Sequence, residues 1–350
     1  MIDAIILAEG VLGTTYGKTA NGLCRFSKRY NIKAVVDSKK DGMDIQSVIR
    51  KASAEIKIVK DLDEALNTFK DAKTMIIGVV TDGGYLPGDL RPVIEKAIKS
   101  GMNIVNGLHQ FISDDPEFSS LAKKYKVELT DVRKMFMLRQ DFFSGKIWEV
   151  KSFKLAVLGT DSAIGKRTTA VYLNEEMKRL GNTSVMIGTG QTAWMQGFDY
   201  TVVIDAMVND FVAGGIENTV VKAWNELKPD FMFLEGQGSV LHPAYPGSFE
   251  IIAAGKPDAI ILQHAPKRVY YDGFDGIKIP PLSKFIRILE ELSDKKVIGI
   301  SLNTENMEKD EIVPEIERIE KEYGITCFDP LGNLKKIGNT ILEAMKEQKK

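Results

Sequence analysis

One rhythm governs this chain: a short apolar run, a glycine-rich loop, then an amphipathic helix, repeated along 350 residues. Such alternation builds parallel sheets, because a parallel crossover needs a dozen or more residues and a helix supplies them. The first half reads as strands at residues 4–8, 33–37, 56–59, 75–80, 103–106 and 127–130, with helices such as 61–70 and 90–100 between them. Asp61, with Glu64 three residues on, has the form of a capping box. The rhythm restarts with strands at 154–158, 184–187, 200–205, 231–235, 259–263, 296–301 and 326–328, and closes with a helix over 334–349. A charged stretch, 144–152, contains Trp148 and marks the join. The predicted class is α/β, two doubly wound domains with mostly parallel sheets, residues 1–148 and 149–350.

Composition narrows the function classes. Lys plus Arg is 47 and Asp plus Glu is 48, a balance that argues against gripping nucleic acid through bulk charge. No apolar run approaches the roughly 18 residues that a membrane helix needs. The opening, with Asp3 and no basic residue before its apolar run, reads as a buried strand and not as a signal peptide. Cys24 and Cys327 stand in no metal-ligand or redox spacing, which fits a cytoplasmic protein with reduced thiols, and no metal ligand set is predicted.

The strongest local signal is the run from Leu155 through Gly159, Thr160, Asp161, Ser162, Gly165, Lys166, Arg167, Thr168 and Thr169. A buried strand enters a glycine-bounded loop, then Gly-Lys, then a helix. Glycines let the backbone curl until N–H groups converge on an anion, the helix start adds its positive dipole end, and a lysine reaches the terminal phosphate oxygens. Two departures stand out. Gly159 and Gly165 enclose five residues where the usual loop has four, and Arg167 occupies the place of the hydroxyl that follows the lysine, with Thr168 one position late. Phosphate binding is expected, and Thr168, one residue late, need not point at the Mg ion that a normal threonine would bind.

Other polar residues follow expected strand ends, where open α/β sheets bind ligands. His109, His242 and His264 each do so. Glu235 begins the run Glu-Gly-Gln-Gly, and with His242 and His109 it is a candidate acid–base group, while Gln237 lies between the glycines. Gln191, Asp205 and Asn209 could read a substrate's amino and carboxyl groups, the last two sharing a face if the segment is helical. Lys267 and Arg268 suit a carboxylate or a second phosphate cluster. In the first domain Gly10, Gly13, Gly17 and Asp37 have the layout of a dinucleotide site but not its glycine spacing.

Two resemblances follow from these motifs. Gly-Thr-Asp-Ser-Ala-Ile-Gly-Lys at 159–166 and Glu-Gly-Gln-Gly at 235–238 resemble the phosphate loop and strand end of dethiobiotin synthetases, carboxylate-activating P-loop enzymes. Across the whole chain, Ala8-Glu9-Gly10, the run Thr14 to Gly22, Gly107-Leu108-His109, Asp114-Asp115-Pro116-Glu117, Lys166-Arg167-Thr168-Thr169 and Gln263-His264-Ala265-Pro266 resemble the DUF1611 family. That resemblance implies a Rossmann-like N-terminal domain joined to a P-loop NTPase-like domain. It also implies an N-acetyltransferase moving an acetyl group from acetyl-CoA to a small acidic amino acid such as D-glutamate. A homo-oligomer is expected, with an enolase-superfamily racemase or epimerase as pathway partner. The alternatives are an ATP-dependent carboxylate-activating ligase and a non-catalytic nucleotide-binding switch.

Overall fold

The apolar runs become two six-stranded sheets, and every pairing within them is parallel. They are seen in a computed structural model that describes residues 1–348. Lys349, the end of the expected closing helix, and Lys350, the end of the second expected domain, lie outside the described residues. The first sheet holds β1 (Ile2–Leu7), β2 (Tyr30–Val36), β3 (Lys57–Val59), β4 (Thr74–Ile77), β5 (Asn103–Asn106) and β6 (Leu129–Asp131) in the order β3-β2-β1-β4-β5-β6. That order reverses between β1 and β4, so a crevice opens at their carboxyl ends. Ile5, Leu7, Met75, Ile77 and Ile104 are fully or almost fully buried there, as expected of strands covered on both faces. Asp61 accepts from the Glu64 amide at 2.9 Å, the first half of the expected box; the Glu64 carboxylate bonds the Lys60 amide instead of the capping residue's own.

The second sheet holds β7 (Phe153–Gly159), β8 (Ser184–Ile187), β9 (Phe231–Glu235), β10 (Ala259–His264), β13 (Val297–Leu302) and β14 (Thr326–Phe328) in the order β14-β13-β10-β7-β9-β8. A separate antiparallel hairpin, β11 (Tyr270–Tyr271) and β12 (Phe274–Lys278), follows β10. The order reverses at β7, whose neighbours are β9 and β10. The helix Lys166–Arg179 leaves directly from that switch point.

One expectation needs correction. Residues 200–205 do not form a strand. Thr201 makes an isolated bridge to Gly188, Val202 and Ile204 donate to the Gly188 and Thr189 carbonyls, and a 3-10 turn, Ile204–Ala206, follows at once. The apolar run is buried along the extension of β8, so its hydrophobicity reports burial and not a ladder. The hairpin at 270–278 had no predicted counterpart.

The chain divides into two units, and the first is discontinuous. It comprises Met1–Leu138, Gly190–Asp199 and Asp205–Met207, and the second takes the rest. The helix Gln191–Gln196 therefore packs within the first unit: Thr192 pairs with Thr19 at 3.0 Å, and the Gln196 amide donates to the Gly22 and Phe26 carbonyls. Arg29 stacks on Trp194 and Phe26 on Phe198.

Candidate functional site: a phosphate loop and a histidine–aspartate–arginine cluster

β7 is buried along its whole length, which fixes where the following loop begins. Ala163 and Gly165 both take positive φ, +49° and +96°, before the helix Lys166–Arg179 starts. Left-handed residues alternating with right-handed ones curl N–H groups towards one side, the geometry of an anion concavity. The Lys166 stem runs between two glycines. A Cβ on Gly159 or on Gly236 would come within 3.0 Å of Lys166 Cδ, and one on Gly236 would also meet the Val157 carbonyl oxygen at 2.2 Å. Those glycines are a steric condition for seating the lysine. Its Nζ donates to the Asp161 carbonyl oxygen at 2.6 Å.

Asp161, expected to touch phosphate, is fully buried and held on all sides. It accepts from the Ser162 amide at 2.7 Å, from Arg268 at 2.8 Å and from the Asp272 amide of the hairpin at 3.0 Å. Arg268 in turn pairs with Glu305 and donates to the Ser162 carbonyl, and the Ser162 hydroxyl bonds Asp272. These side chains brace the loop. Thr160 bonds His264 Nδ1 at 3.2 Å, while Thr169 bonds Gln263 and Ser301 in the core. Thr168 is partly buried at the first helical turn. Lys267 pairs with Glu311 in solvent.

Glu235 ends β9 beside β7. Its Oε2 accepts from the Thr189 amide at 2.9 Å, and its Oε1 lies 3.5 Å from the Arg167 guanidinium. Burial holds the Arg167 pKa below its ordinary value, with Glu235 acting against that shift. Gln237 bonds the Thr189 hydroxyl at 3.0 Å. The His242 ring is wholly enclosed; its Nδ1 accepts from the Ala244 and Tyr245 amides, so the proton sits on Nε2, which faces Asp161 at 3.4 Å. Asn209 bonds Glu250.

The first unit gathers a second group of candidates. β5 ends in Asn106, fully buried, whose side chain bonds the Leu108 amide, the Gln110 carbonyl and Asp131, pinning the turn that carries His109. Gly84, at φ +69°, backs the imidazole; a Cβ there would stand 2.5 Å from the ring. Arg133 holds Asp205 through two contacts, at 2.6 and 3.3 Å, and His109 Nε2 lies 4.0 Å from Asp205. The His109 side chain is 48% exposed. Partial burial and then Arg133 lower its pKa, outweighing Asp205. Gln191 is buried against Gly107, where a Cβ would meet its Cγ at 3.0 Å. Asp205 and Asn209 do not share a helix: Asp205 lies in the 3-10 turn and Asn209 opens the helix Asn209–Leu227.

The crevice between β1 and β4 is acidic, and its loop is tied down from below. Asp37 is fully buried and bonds the Leu12 and Lys39 amides at 3.0 Å, closing the loop after β1. The cavity there, about 270 Å³, is lined by Glu9, Asp82 and Asp89, charges that repel phosphates.

Arg133, Thr189, Asp272 and Glu305 were not singled out in the sequence. For Asp272 the signal existed: Asp-Gly between aromatic residues marks a hairpin turn. For the others, nothing local marks which charge pairs with which.

Acid sensitivity follows from His264, whose pKa is pushed down to about 4 by burial. An unfolded histidine titrates near 6.5. Below that pH the unfolded chain binds a proton that the folded chain refuses, so stability falls from about pH 6.5 down to about 4, where the folded form also titrates. Thermal melts across that window should show a falling midpoint, less steep in His264→Gln. Equal slopes would mean that other groups govern acid unfolding.

The fold and these loops define a two-domain α/β protein, Rossmann-like followed by P-loop. Residues 38–135 match the family described as "Domain of unknown function (DUF1611_N) Rossmann-like domain", and residues 141–337 match "Domain of unknown function (DUF1611_C) P-loop domain". The chain belongs to the DUF1611 family. It is 32% identical over 271 residues to a protein from Pseudoalteromonas sp named D-glutamate N-acetyltransferase, covering 74% of this chain and 78% of that one. A protein of the same name from Tritonibacter scottomollicae is 31% identical over 270 residues, with the same coverage. The crystal structure of a DUF1611 family protein from Anabaena variabilis superposes with a TM-score of 0.88 at 29% identity, over 99% of this chain and 100% of that one. Among the described residues no helix is long and apolar enough to cross a membrane.

Proposed function

We propose that this protein transfers an acetyl group from acetyl-CoA to the amino group of a small acidic amino acid such as D-glutamate. The observation that carries the reading is the loop at residues 159–168. It is a strand–loop–helix phosphate cradle with Lys166 at its centre, yet Arg167 stands where a phosphate-transferring enzyme places its metal-binding hydroxyl. Such a loop suits holding a donor by its phosphates better than breaking a phosphoanhydride. The relatives' name supplies the acyl chemistry and the substrate class.

In the reaction the substrate ammonium gives one proton to a base, the amine nitrogen attacks the thioester carbonyl, the C–N bond forms as the nitrogen gives up a second proton, and the C–S bond breaks with the thiol sulfur taking up that second proton. His109 is the base we infer. Among the three candidates it alone has a ring half open to solvent, and its lowered pKa keeps it neutral near pH 7. Glu235 is committed to Arg167 and Thr189, and the His242 Nδ1 lone pair to backbone amides.

The test is thiol release from acetyl-CoA by purified protein with D-glutamate, L-glutamate and D-aspartate. Release dependent on one acidic amino acid is expected. No release with any of them, together with amino-acid-dependent ATP consumption, would replace the acyltransferase by the ligase.

A further inference from the structure

We propose that the Arg167 guanidinium, paired with Glu235, takes the place of a metal ion in this phosphate loop, so that the site binds its phosphate-bearing donor without a divalent cation. The inference rests on the phosphate-loop reading above and adds how that loop balances charge.

In phosphate loops of this class Mg²⁺ is held by the hydroxyl directly after the lysine and by an acid from a neighbouring strand. Both positions exist here, and neither suits Mg²⁺. The residue after Lys166 is Arg167. The acid at the end of the adjacent strand is Glu235, which already faces that guanidinium at 3.5 Å and accepts from the Thr189 amide at 2.9 Å. The nearby buried hydroxyl, Thr169, is bonded to Gln263 and Ser301. A dication beside Glu235 would meet a fixed positive charge, and the carboxylate would have to leave its partner to ligate it.

The pair is also placed to persist. The Arg167 and Glu235 side chains are 17% and 4% exposed, so water screens them little. An unpaired charge there would be strongly unfavourable, which holds the two together when the site is empty. Arg167 follows Lys166 in the first turn of the helix, so both cations stand at the end where the helix dipole is positive. A planar guanidinium can also give paired N–H bonds to phosphate oxygens, which an ammonium cannot.

Calorimetric titration with acetyl-CoA, and separately with ATP, in Mg²⁺ or in EDTA tests this. Wild-type affinity should agree within about threefold between the two conditions. Arg167→Ser creates Gly-Lys-Ser and takes the guanidinium away from Glu235. Its affinity should drop about tenfold or more in EDTA and recover in Mg²⁺, converting a metal-independent site into a metal-dependent one. Arg167→Lys keeps the positive charge and should stay metal-independent; it decides the question if Arg167→Ser does not fold. A tenfold loss of wild-type affinity on chelation would overturn the proposal while leaving the phosphate loop standing. So would Arg167→Ser binding as tightly as wild type in EDTA. Absence of wild-type binding to both ligands in both conditions would instead remove the phosphate-loop reading, and this inference with it.

Discussion

On the acetyl transfer proposed above, with His109 as its base, His109→Asn should lower turnover by about a hundredfold to ten-thousandfold, the usual effect of removing a general base. Asparagine is smaller and polar, and the ring it replaces is 48% exposed, so the melting temperature should change little. The wild-type pH profile supplies an independent readout. A base works unprotonated, so kcat/KM should be full at neutral pH and fall as acid protonates the ring. Partial burial and Arg133 hold that titration below the ordinary histidine value, so the acid limb should lie below about pH 6.5. Asp205→Asn removes the charge that raises the His109 pKa and should move that limb lower still. Turnover unchanged in His109→Asn would assign the proton transfer elsewhere.

The second large effect belongs to Lys166→Met. Methionine keeps most of the aliphatic stem that runs between Gly159 and Gly236, so the fold should survive. The ammonium that would meet the donor phosphate is lost. A charge-assisted hydrogen bond contributes about 1.5–3 kcal/mol, which corresponds to roughly a tenfold to hundredfold loss of affinity. Titrations with acetyl-CoA and with ATP separate the readings. Loss for both fits a shared phosphate site. Loss for ATP alone would favour the ligase, and no loss for either would make the loop a packing turn.

Much of the fold was legible because burial leaves a regular imprint. The strand expected at 154–158 is Phe153–Gly159, and that at 231–235 is Phe231–Glu235. Phe231–Glu235 is a continuous apolar run closed by glutamate, and Phe153–Gly159 is one closed by glycine and interrupted only by Lys154, which is buried and paired with Asp258, as parallel strands covered on both faces should be. The run at 200–205 carried the same imprint and misled, since hydrophobicity marks burial whether or not a ladder forms. The phosphate loop was legible as a motif, but its electrostatics were not. That Asp161 would be enclosed by Arg268, Ser162 and Asp272, or that Arg167 would reach Glu235, depends on residues far apart in the chain. The placement of Gln191 and Asp205 in the first unit had no sequence signature at all, because the segments that carry them lie within the second half of the chain.

That interleaving sets a timetable for synthesis. When residue 138 leaves the ribosome, all six strands of the first sheet exist, yet the unit still lacks Gly190–Asp199 and Asp205–Met207. The sheet must wait for about seventy more residues, several seconds at ordinary translation rates. During that interval Phe26 has no Phe198 to stack on, the Gly22 and Phe26 carbonyls lack the Gln196 amide, and Arg133 faces no Asp205. A nascent chain stalled before residue 190 should therefore be readily cleaved by protease near residues 19–29, and one stalled well past residue 207 should resist. The first unit is begun first and finished late, so a gene fragment ending at the apparent boundary would encode an unfinished fold.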